Sequence, residues 1–460
     1  MEFKAFIKEA FQRTGKATRI IILTVKPDNQ KVFRASEKLA EEAEKMGLKA
    51  KVIYADGGRI IEKNKKLYIY NIEDRQDEGF EINPVNTLVL LRAVVLKSIV
   101  GLDLVSQLEQ HRFVCVNSRE CLEICADKFR TTQVLKKYDI PVPKTAIVQG
   151  ENGFELALKE IGGKFPVIVK TLYGSQGLGV FQIDSMESLK STLQTIWKLA
   201  PGQEVLVQEF IETDGDHRIH VINDEIFAAM KRHKVQGDFR ANVHLGGEVS
   251  NFEVPEDMAQ IAINANKAVK GIWTGVDIIE NKKTGELVVI EVNSSPGLEG
   301  IEEATGKNIK KEALTLLIDK SNWVLPVIKA GFLESMFINV LNGYVPAKLD
   351  TGNGSKFCGL HADEYKIDGN KVIWKFKGKE IESKLIEESE IIIGGLKTYK
   401  EKRPVISLDV KFNGEEYKNI LFSLDNRGKR APVLLNRAFI KLAGLAVDPA
   451  QKYILTVKHE

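Results

Sequence analysis

The order of apolar and polar positions divides the chain into stretches of different character. Between Arg19 and Val116, short apolar runs alternate with amphipathic ones. Ile20 to Val25, Ala50 to Tyr54, Thr87 to Leu91 and Phe113 to Val116 read as strands, and the segments up to about Met46 and from Gly101 to Gln110 read as helices. Strands alternating with helices imply a largely parallel sheet. A helix over about Ser118 to Lys137 ends before Ile140-Pro141-Val142-Pro143, where two prolines force extended backbone. A further unit opens with Pro166 to Lys170, turns through a glycine-rich loop and mixes strands and helices to about Lys320. Trp323 to Ile328 reads as a linker, and from about Gly331 many short strands separated by Gly, Asn and Asp predict a small barrel or sandwich. At the N-terminus, Phe3, Phe6, Ile7, Ala10 and Phe11 form the stripe of an amphipathic helix, expected to dock on the protein itself, and Glu2 and Glu9 argue against a transit peptide.

Length agrees with this division, because 460 residues exceed what one hydrophobic core sustains. The expected domains are 1–125, α/β with the N-terminal helix; 126–320; a linker at 321–330; and 331–460, all β. With 66 basic against 63 acidic residues and a formal charge of +3, nothing demands a nucleic-acid or membrane partner. No apolar run approaches the length that spans a bilayer and no signal-peptide pattern is present, so a cytoplasmic location is expected. Cysteines at 115, 121, 125 and 358 suit a reducing compartment; Cys121 and Cys125, one helical turn apart, are open to metal binding or to simple burial.

Candidate chemistry concentrates in the middle of the chain. A strand ending in Lys170 runs into Gly174-Ser175-Gln176-Gly177-Leu178-Gly179, where backbone N–H groups can cover phosphates beside a lysine charge; a tight turn between two strands is the alternative. Val205 to Ile211 is a buried strand carrying Glu209 and Phe210, suited to presenting backbone groups and an aromatic face to a purine. Asp277 lies in one strand, and Glu291 and Asn293 lie two apart in another, so the latter pair leave the same face. Hard oxygen ligands opposite a phosphate loop suit Mg²⁺. For Lys231-Arg232-His233-Lys234, a solvated hairpin and an anion-holding run both stay open.

The segment from about Asp127 to Lys310 resembles the ATP-grasp core of the RimK-type α-L-glutamate ligases. The resemblance rests on Asp127-Lys128-Phe129-Arg130, Val169-Lys170, Gly174 to Gly177, Gln208-Glu209-Phe210, Asp216-His217-Arg218, Gly237 to Asn242, His244 to Gly247 and Glu291 to Gly300. It implies an α/β pre-ATP-grasp domain followed by an α+β ATP-grasp core. Lys128, Lys170 and the Gly174, Ser175, Gln176, Gly177 loop would hold ATP phosphates, Glu209 and Phe210 adenine, and Asp216 the ribose. Arg240, Ala241 and Asn242 would lie at the phosphates and reacting centre, with Arg240 catalytic, and Asp277, Glu291 and Asn293 would hold Mg²⁺ or Mn²⁺, two ions in all. Arg218, beside the ribose contact, is the candidate clamp for a substrate carboxylate. The implied partners are ATP, L-glutamate and the C-terminal tail of a protein, a small-subunit ribosomal protein in the family; cofactors and small peptides are the alternative acceptors. Phe210 stands for the family's Tyr, and Leu245 for a common basic residue, which bears on the acceptor.

Farther on, Ala347-Lys348-Leu349-Asp350-Thr351-Gly352 runs a strand into an aspartate in a tight turn. With Leu360-His361-Ala362, Arg403 to Ile406, Asp425-Asn426-Arg427, Pro432 to Arg437 and Val447 to Pro449, it resembles the RimB-type retropepsin-like family, also called ATP-dependent zinc proteases. Asp350 would be catalytic, in an all-β, acid-protease-like domain that trims the glutamate tail; a non-catalytic recognition or dimerisation module is the alternative. Asn436 replaces the family's Gly, and Asn353 to Cys358 departs from its usual stretch. Two carboxylates about 3 Å apart must share a proton in such a site. A single Asp350 therefore predicts a two-fold dimer through this domain, which could extend to a tetramer. His361 is solitary and offers no basis for zinc.

Overall fold

The computed structural model describes residues 15–25, 30–64, 66–72, 74–92, 99–150, 153–172, 179–234, 248–323, 326–392, 400–428 and 430–459. The N-terminal helix expected over Phe3 to Phe11, the loop Gly174 to Gly177 and the segment Arg240 to Asn242 lie outside the described residues. The chain forms two compact units, one spanning Thr14–Val324 and the other containing Leu325–Glu460.

The first unit begins with β1 (Arg19–Thr24), α1 (Gln30–Lys45), β2 (Lys49–Tyr54), β3 (Gly58–Lys63), β4 (Lys66–Asn71), β5 (Phe80–Ile82), β6 (Thr87–Leu91), α2 (Ile99–Gln110) and β7 (Val114–Val116). Strands β2, β1, β6 and β7 form, in that order, a parallel sheet. Ile20 to Leu23 are wholly buried there, as a parallel strand covered on both faces requires. The β3–β4–β5 meander is a separate sheet that periodicity alone had not revealed.

Where one helix was expected, two occur: α3 (Arg119–Ala126) and α4 (Lys128–Lys137). Asp127 breaks them, with extended backbone and a carboxylate that accepts from the N–H groups of Phe129 and Arg130. An N-cap of this kind satisfies donors that a continuous helix would not leave free. The break places Lys128 at the first position of α4.

The unit continues with β8 (Thr145–Val148), α5 (Phe154–Glu160), β9 (Val167–Thr171), β10 (Val180–Ile183), α6 (Met186–Leu199), β11 (Val205–Glu209), β12 (Gly215–Ile222), β13 (Glu225–His233), β14 (Val249–Asn251), α7 (Glu256–Ala268), β15 (Trp273–Glu280), β16 (Leu287–Asn293), α8 (Glu299–Thr305) and α9 (Ile309–Leu317). Two antiparallel sheets result, ordered β10-β9-β11-β8 and β14-β13-β12-β15-β16. One face of the five-stranded sheet buries Ile219, Val221, Val276, Ile278, Val289 and Val292 against α3, α4 and α7. The period of two then sends the alternate residues to the opposite face. Among those residues are Asp216, Arg218, Arg232, Asp277 and Glu291.

The second unit comprises β17 (Ile328–Ile338), β18 (Gly343–Leu349), β19 (Cys358–His361), β20 (Tyr365–Asp368), β21 (Lys371–Phe376), β22 (Lys379–Ile392), β23 (Lys400–Phe412), β24 (Glu415–Asp425), β25 (Val433–Leu435), α10 (Arg437–Leu442) and β26 (Leu445–Lys452). Its strands join in one strongly bent sheet, closed further by a β23–β17 pairing around a core that includes Trp374, Phe412 and Phe422. The buried Glu334 carboxylate accepts the N–H groups of Gly331, Ile454, Leu455 and Thr456, and so pins the C-terminal segment after β26. Among the described residues no helix is long and apolar enough to cross a membrane.

Candidate active site

Register explains how the charged face is built. Across the sheet, Arg232 of β13 pairs with Asp216 of β12, Arg218 of β12 with Asp277 of β15, and Asp277 with Glu291 of β16. One row farther, His220, Gly275 and Asn293 stand abreast. Gly215 opens β12 with φ +145°, and a Cβ there would meet the Arg232 carbonyl oxygen at 2.2 Å, so only glycine lets β12 approach β13 before Asp216.

Asp277 is the hub. Its Oδ1 accepts from Arg218 Nε at 2.7 Å, and its Oδ2 accepts from Arg218 Nη2 at 2.6 Å and Arg232 Nη2 at 2.8 Å. Burial opposes its ionisation, yet the two guanidiniums hold its carboxyl down at about 2. Asp216 takes Arg232 Nε at 2.5 Å. Burial, stronger there than the Arg232 attraction, pushes Asp216 up to about 6. Arg218 is thus a bidentate carboxylate clamp, as expected of arginine, but in this structure it holds Asp277 rather than a substrate. Asp216, the expected ribose contact, is engaged by Arg232. Arg232 itself, read in sequence as part of a basic run, is neither solvated nor free: its side chain is 8% exposed.

Two lysines approach from other elements. Lys128 brings its ammonium within 3.9 Å of Glu291 Oε1. Lys170, on β9, loses enough hydration that burial pushes it down to about 8, with Glu291 opposing the shift and Lys128 adding to it. At the end of β11, Glu209 Oε1 accepts the Lys144 N–H at 2.8 Å, which fixes the strand that leads to Phe210.

A hard divalent cation fits this donor set. Glu291 is a third exposed and, among the described residues, is held by the longer contact to Lys128, and Asp277 Oδ1 accepts one hydrogen bond, from Arg218. Among the described residues no cluster of three or more His, Cys, Asp or Glu forms a metal site, so the third donor would be the Asn293 amide. Cys121 and Cys125 lie 4.0 Å apart, sulfur to sulfur, within α3, and the contact together with burial raises the Cys125 thiol.

Sequence reading missed Arg92, His220, Trp273 and Asn117 as members of this neighbourhood. The buried Asn117, just after β7, donates to the carbonyls of Trp273 and Ser294 and accepts from the N–H groups of Ile272 and Trp273, so the parallel sheet fixes the start of β15 and the turn after β16. Arg92 had one available signal: it follows directly on the apolar β6, and ligands gather at the carboxyl ends of parallel strands.

In the second unit Asp350 follows β18, which runs parallel to β25, and its N–H donates to the Leu435 carbonyl at 3.0 Å. Its Oδ1 accepts from the Gly352 N–H at 3.0 Å. The two departures from the family pattern touch: Asn436 caps α10, its Nδ2 donates to the Ser355 carbonyl, and the Arg437 N–H donates to the Asn353 carbonyl. The Asn436 side chain and the Arg437 N–H thereby anchor the loop 353–355 beside Asp350. His361 is fully engaged, its Nδ1 accepting from the Arg427 N–H at 3.0 Å and its Nε2 facing Asp363 Oδ1 at 3.1 Å.

Two antiparallel sheets, one carrying Lys170 and the other this charged face, define an ATP-using carboxylate–amine ligase of the ATP-grasp class. Residues 125–317 match the model of the RimK-like ATP-grasp domain, and residues 330–458 match that of the retropepsin-like aspartic endopeptidase RimB. A protein of Rhodopirellula baltica named probable alpha-L-glutamate ligase is 32% identical over 334 residues, covering 72% of this chain and 78% of that one. Its namesake from Coxiella burnetii is 39% identical over 211 residues, 45% of this chain and 68% of that protein. A structure of the ATP-grasp ligase PsnB, complexed with a phosphomimetic variant of its minimal precursor, Mg and ADP, covers 66% of this chain and 99% of its own at 16% identity and a TM-score of 0.51, which supports the fold. The chain belongs to the alpha-L-glutamate ligase family.

Proposed function

We propose that this chain adds L-glutamate to the C-terminal carboxylate of a protein, with a small-subunit ribosomal protein as the acceptor, and that its second unit trims the tail. The observation that carries the ligase reading is the single sheet face on which Asp216, Arg218, Arg232, Asp277, Glu291 and Asn293 converge, approached by Lys128 and Lys170. In such a reaction an acceptor carboxylate oxygen attacks the γ-phosphorus of ATP and ADP leaves. The amine of glutamate then attacks the acyl carbon, phosphate leaves and the amine gives up a proton.

Residue roles follow from position. Lys128 and Lys170 supply cationic charge to phosphate oxygens, and the clamp of Arg218 and Arg232 holds Asp277 ionised and oriented beside Glu291. Asp277, Glu291 and Asn293 would hold Mg²⁺, which when bound supplies charge neutralisation for the transferred phosphoryl group. The adenine contacts at Glu209 and Phe210, and the roles of Arg240, Ala241, Asn242 and the Gly174 to Gly177 loop, come from the family resemblance.

For the second unit, the turn that carries Asp350 between parallel β18 and β25 supports an acid-protease reading in which a second chain supplies the other carboxylate. Mass spectrometry of cells with and without the protein tests the whole proposal. A ladder of about 129 Da steps at one C-terminus is expected in its presence. Its absence from every C-terminus would remove the protein-acceptor reading.

A further inference from the structure

One row of the charged face holds hydrogen-bond donors without acceptors. Gly275 stands between His220 and Asn293, and a Cβ there would press on Pro296 Cβ at 2.8 Å, so only glycine lets the turn after β16 pack this closely on β15. Around it, both ring nitrogens of His220, Nε1 of Trp273 and Nδ2 of Asn293 are buried with no hydrogen-bond partner among the described residues. The His220 and Trp273 rings meet edge to face at 6.3 Å. Burial holds the His220 imidazole neutral, down at about 3, so it offers one N–H and one lone pair.

Arg92 closes the group. Its Nη2 donates to the Pro296 carbonyl at 2.6 Å, and its Cζ lies 5.3 Å from the Trp273 ring centre. The side chain is buried, and among the described residues no carboxylate pairs with it. A buried cation without a counter-charge is costly, and orphaned polar groups are rare in native interiors. Here the guanidinium, the indole N–H and the Asn293 amide are all donors, a set that an oxygen anion would satisfy.

We propose that Arg92, Trp273 and His220 form a carboxylate subsite that takes a carboxylate of the incoming amino acid. The row Arg218–Asp277–Glu291 lies two residues along the strands, about 7 Å away, within reach of the amine of one bound amino acid. The subsite rests on the ligase reading above and gives it a residue-level account of the amino-acid site. It makes Arg92 a binding residue rather than a staple between β6 and the Pro296 turn.

Calorimetric titration of the full-length chain with L-glutamate, in the presence of Mg²⁺ and a non-hydrolysable ATP analogue, separates these roles. Arg92→Met is expected to weaken glutamate binding about 30-fold or more, the size of a lost charge-assisted hydrogen bond, while affinity for the ATP analogue stays within about twofold. Arg92→Lys should recover part of the loss. Glutamine and isoglutamine, which lack one carboxylate each, identify the carboxylate held: the ligand whose binding no longer depends on Arg92 lacks it. If Arg92→Met folds poorly, Trp273→Phe keeps the ring, removes the N–H and should weaken glutamate about fivefold.

Wild-type glutamate affinity in both variants would overturn the subsite, even with ligation intact. So would a loss confined to a peptide ending in Glu-Glu, since that places the acceptor there. Arg92-dependent glutamate binding by a chain that transfers glutamate to no peptide would instead overturn the ligase reading and leave the subsite standing.

Discussion

The charged face of the ligase sheet and the Asp350 turn of the second unit solve opposite problems. On the sheet, Asp277 has both oxygens engaged by arginines of β12 and β13, and in the proposed ligase the groups that hold phosphate and amino acid come from one chain. At the turn, the Asp350 carboxylate accepts the Gly352 N–H at its Oδ1, and the proposed peptidase chemistry needs a second carboxylate. On these proposals, a site assembled across strands is tied to folding, whereas a site at a turn is tied to association. Substitutions in the first should therefore alter stability and catalysis together, and those in the second should respond to chain composition.

The largest effect expected is that of Glu291→Gln, which removes a charge from the proposed metal site at a partly exposed position. Ligation monitored by ADP release should fall on the order of 10³-fold with the melting temperature little changed. Near wild-type turnover at saturating Mg²⁺ would take Glu291 out of the metal site.

Asp277→Asn comes next, because it leaves Arg218 and Arg232 buried without their shared counter-charge. A loss of about 3 to 5 kcal/mol in denaturant unfolding is expected, against about 1 kcal/mol or less for Asp350→Asn. Equal losses at the two sites would break the comparison.

Smaller, and readable through pH, is the role of Lys170. Burial lowers its pKa to about 8, so the ammonium is charged below that pH and loses its charge as pH rises through it. If it meets ATP phosphates, kcat/KM for ATP should fall about tenfold per pH unit above 8, and Lys170→Arg should flatten the profile. A flat wild-type profile up to pH 9.5 would exclude the contact.

The smallest change concerns mixed chains. In an equal mixture of wild-type and Asp350→Asn chains, tail-trimming activity should drop to about one quarter under random pairing. A drop to about one half would mean each chain works alone, and the dimeric protease reading would have to be given up.

Local rules carried the sequence far. The i, i+2 placement of Glu291 and Asn293 put both on one face, and the proline pair after Ile140 marked extended backbone between α4 and β8, because period and backbone restriction act between near neighbours. The family motifs pointed to Lys128, Lys170 and Asp277 for the same reason: each sits in a short stretch with its own signature. Only tertiary structure decided the rest. That Arg232 belongs with Asp216 and Asp277 is a fact of strand register, that Arg92 meets Trp273 and Pro296 joins residues about two hundred positions apart, and that Asn436 reaches the Ser355 carbonyl depends on β18 pairing with β25. Burial made these contacts consequential, since a guanidinium in water needs no partner and one in a protein interior does.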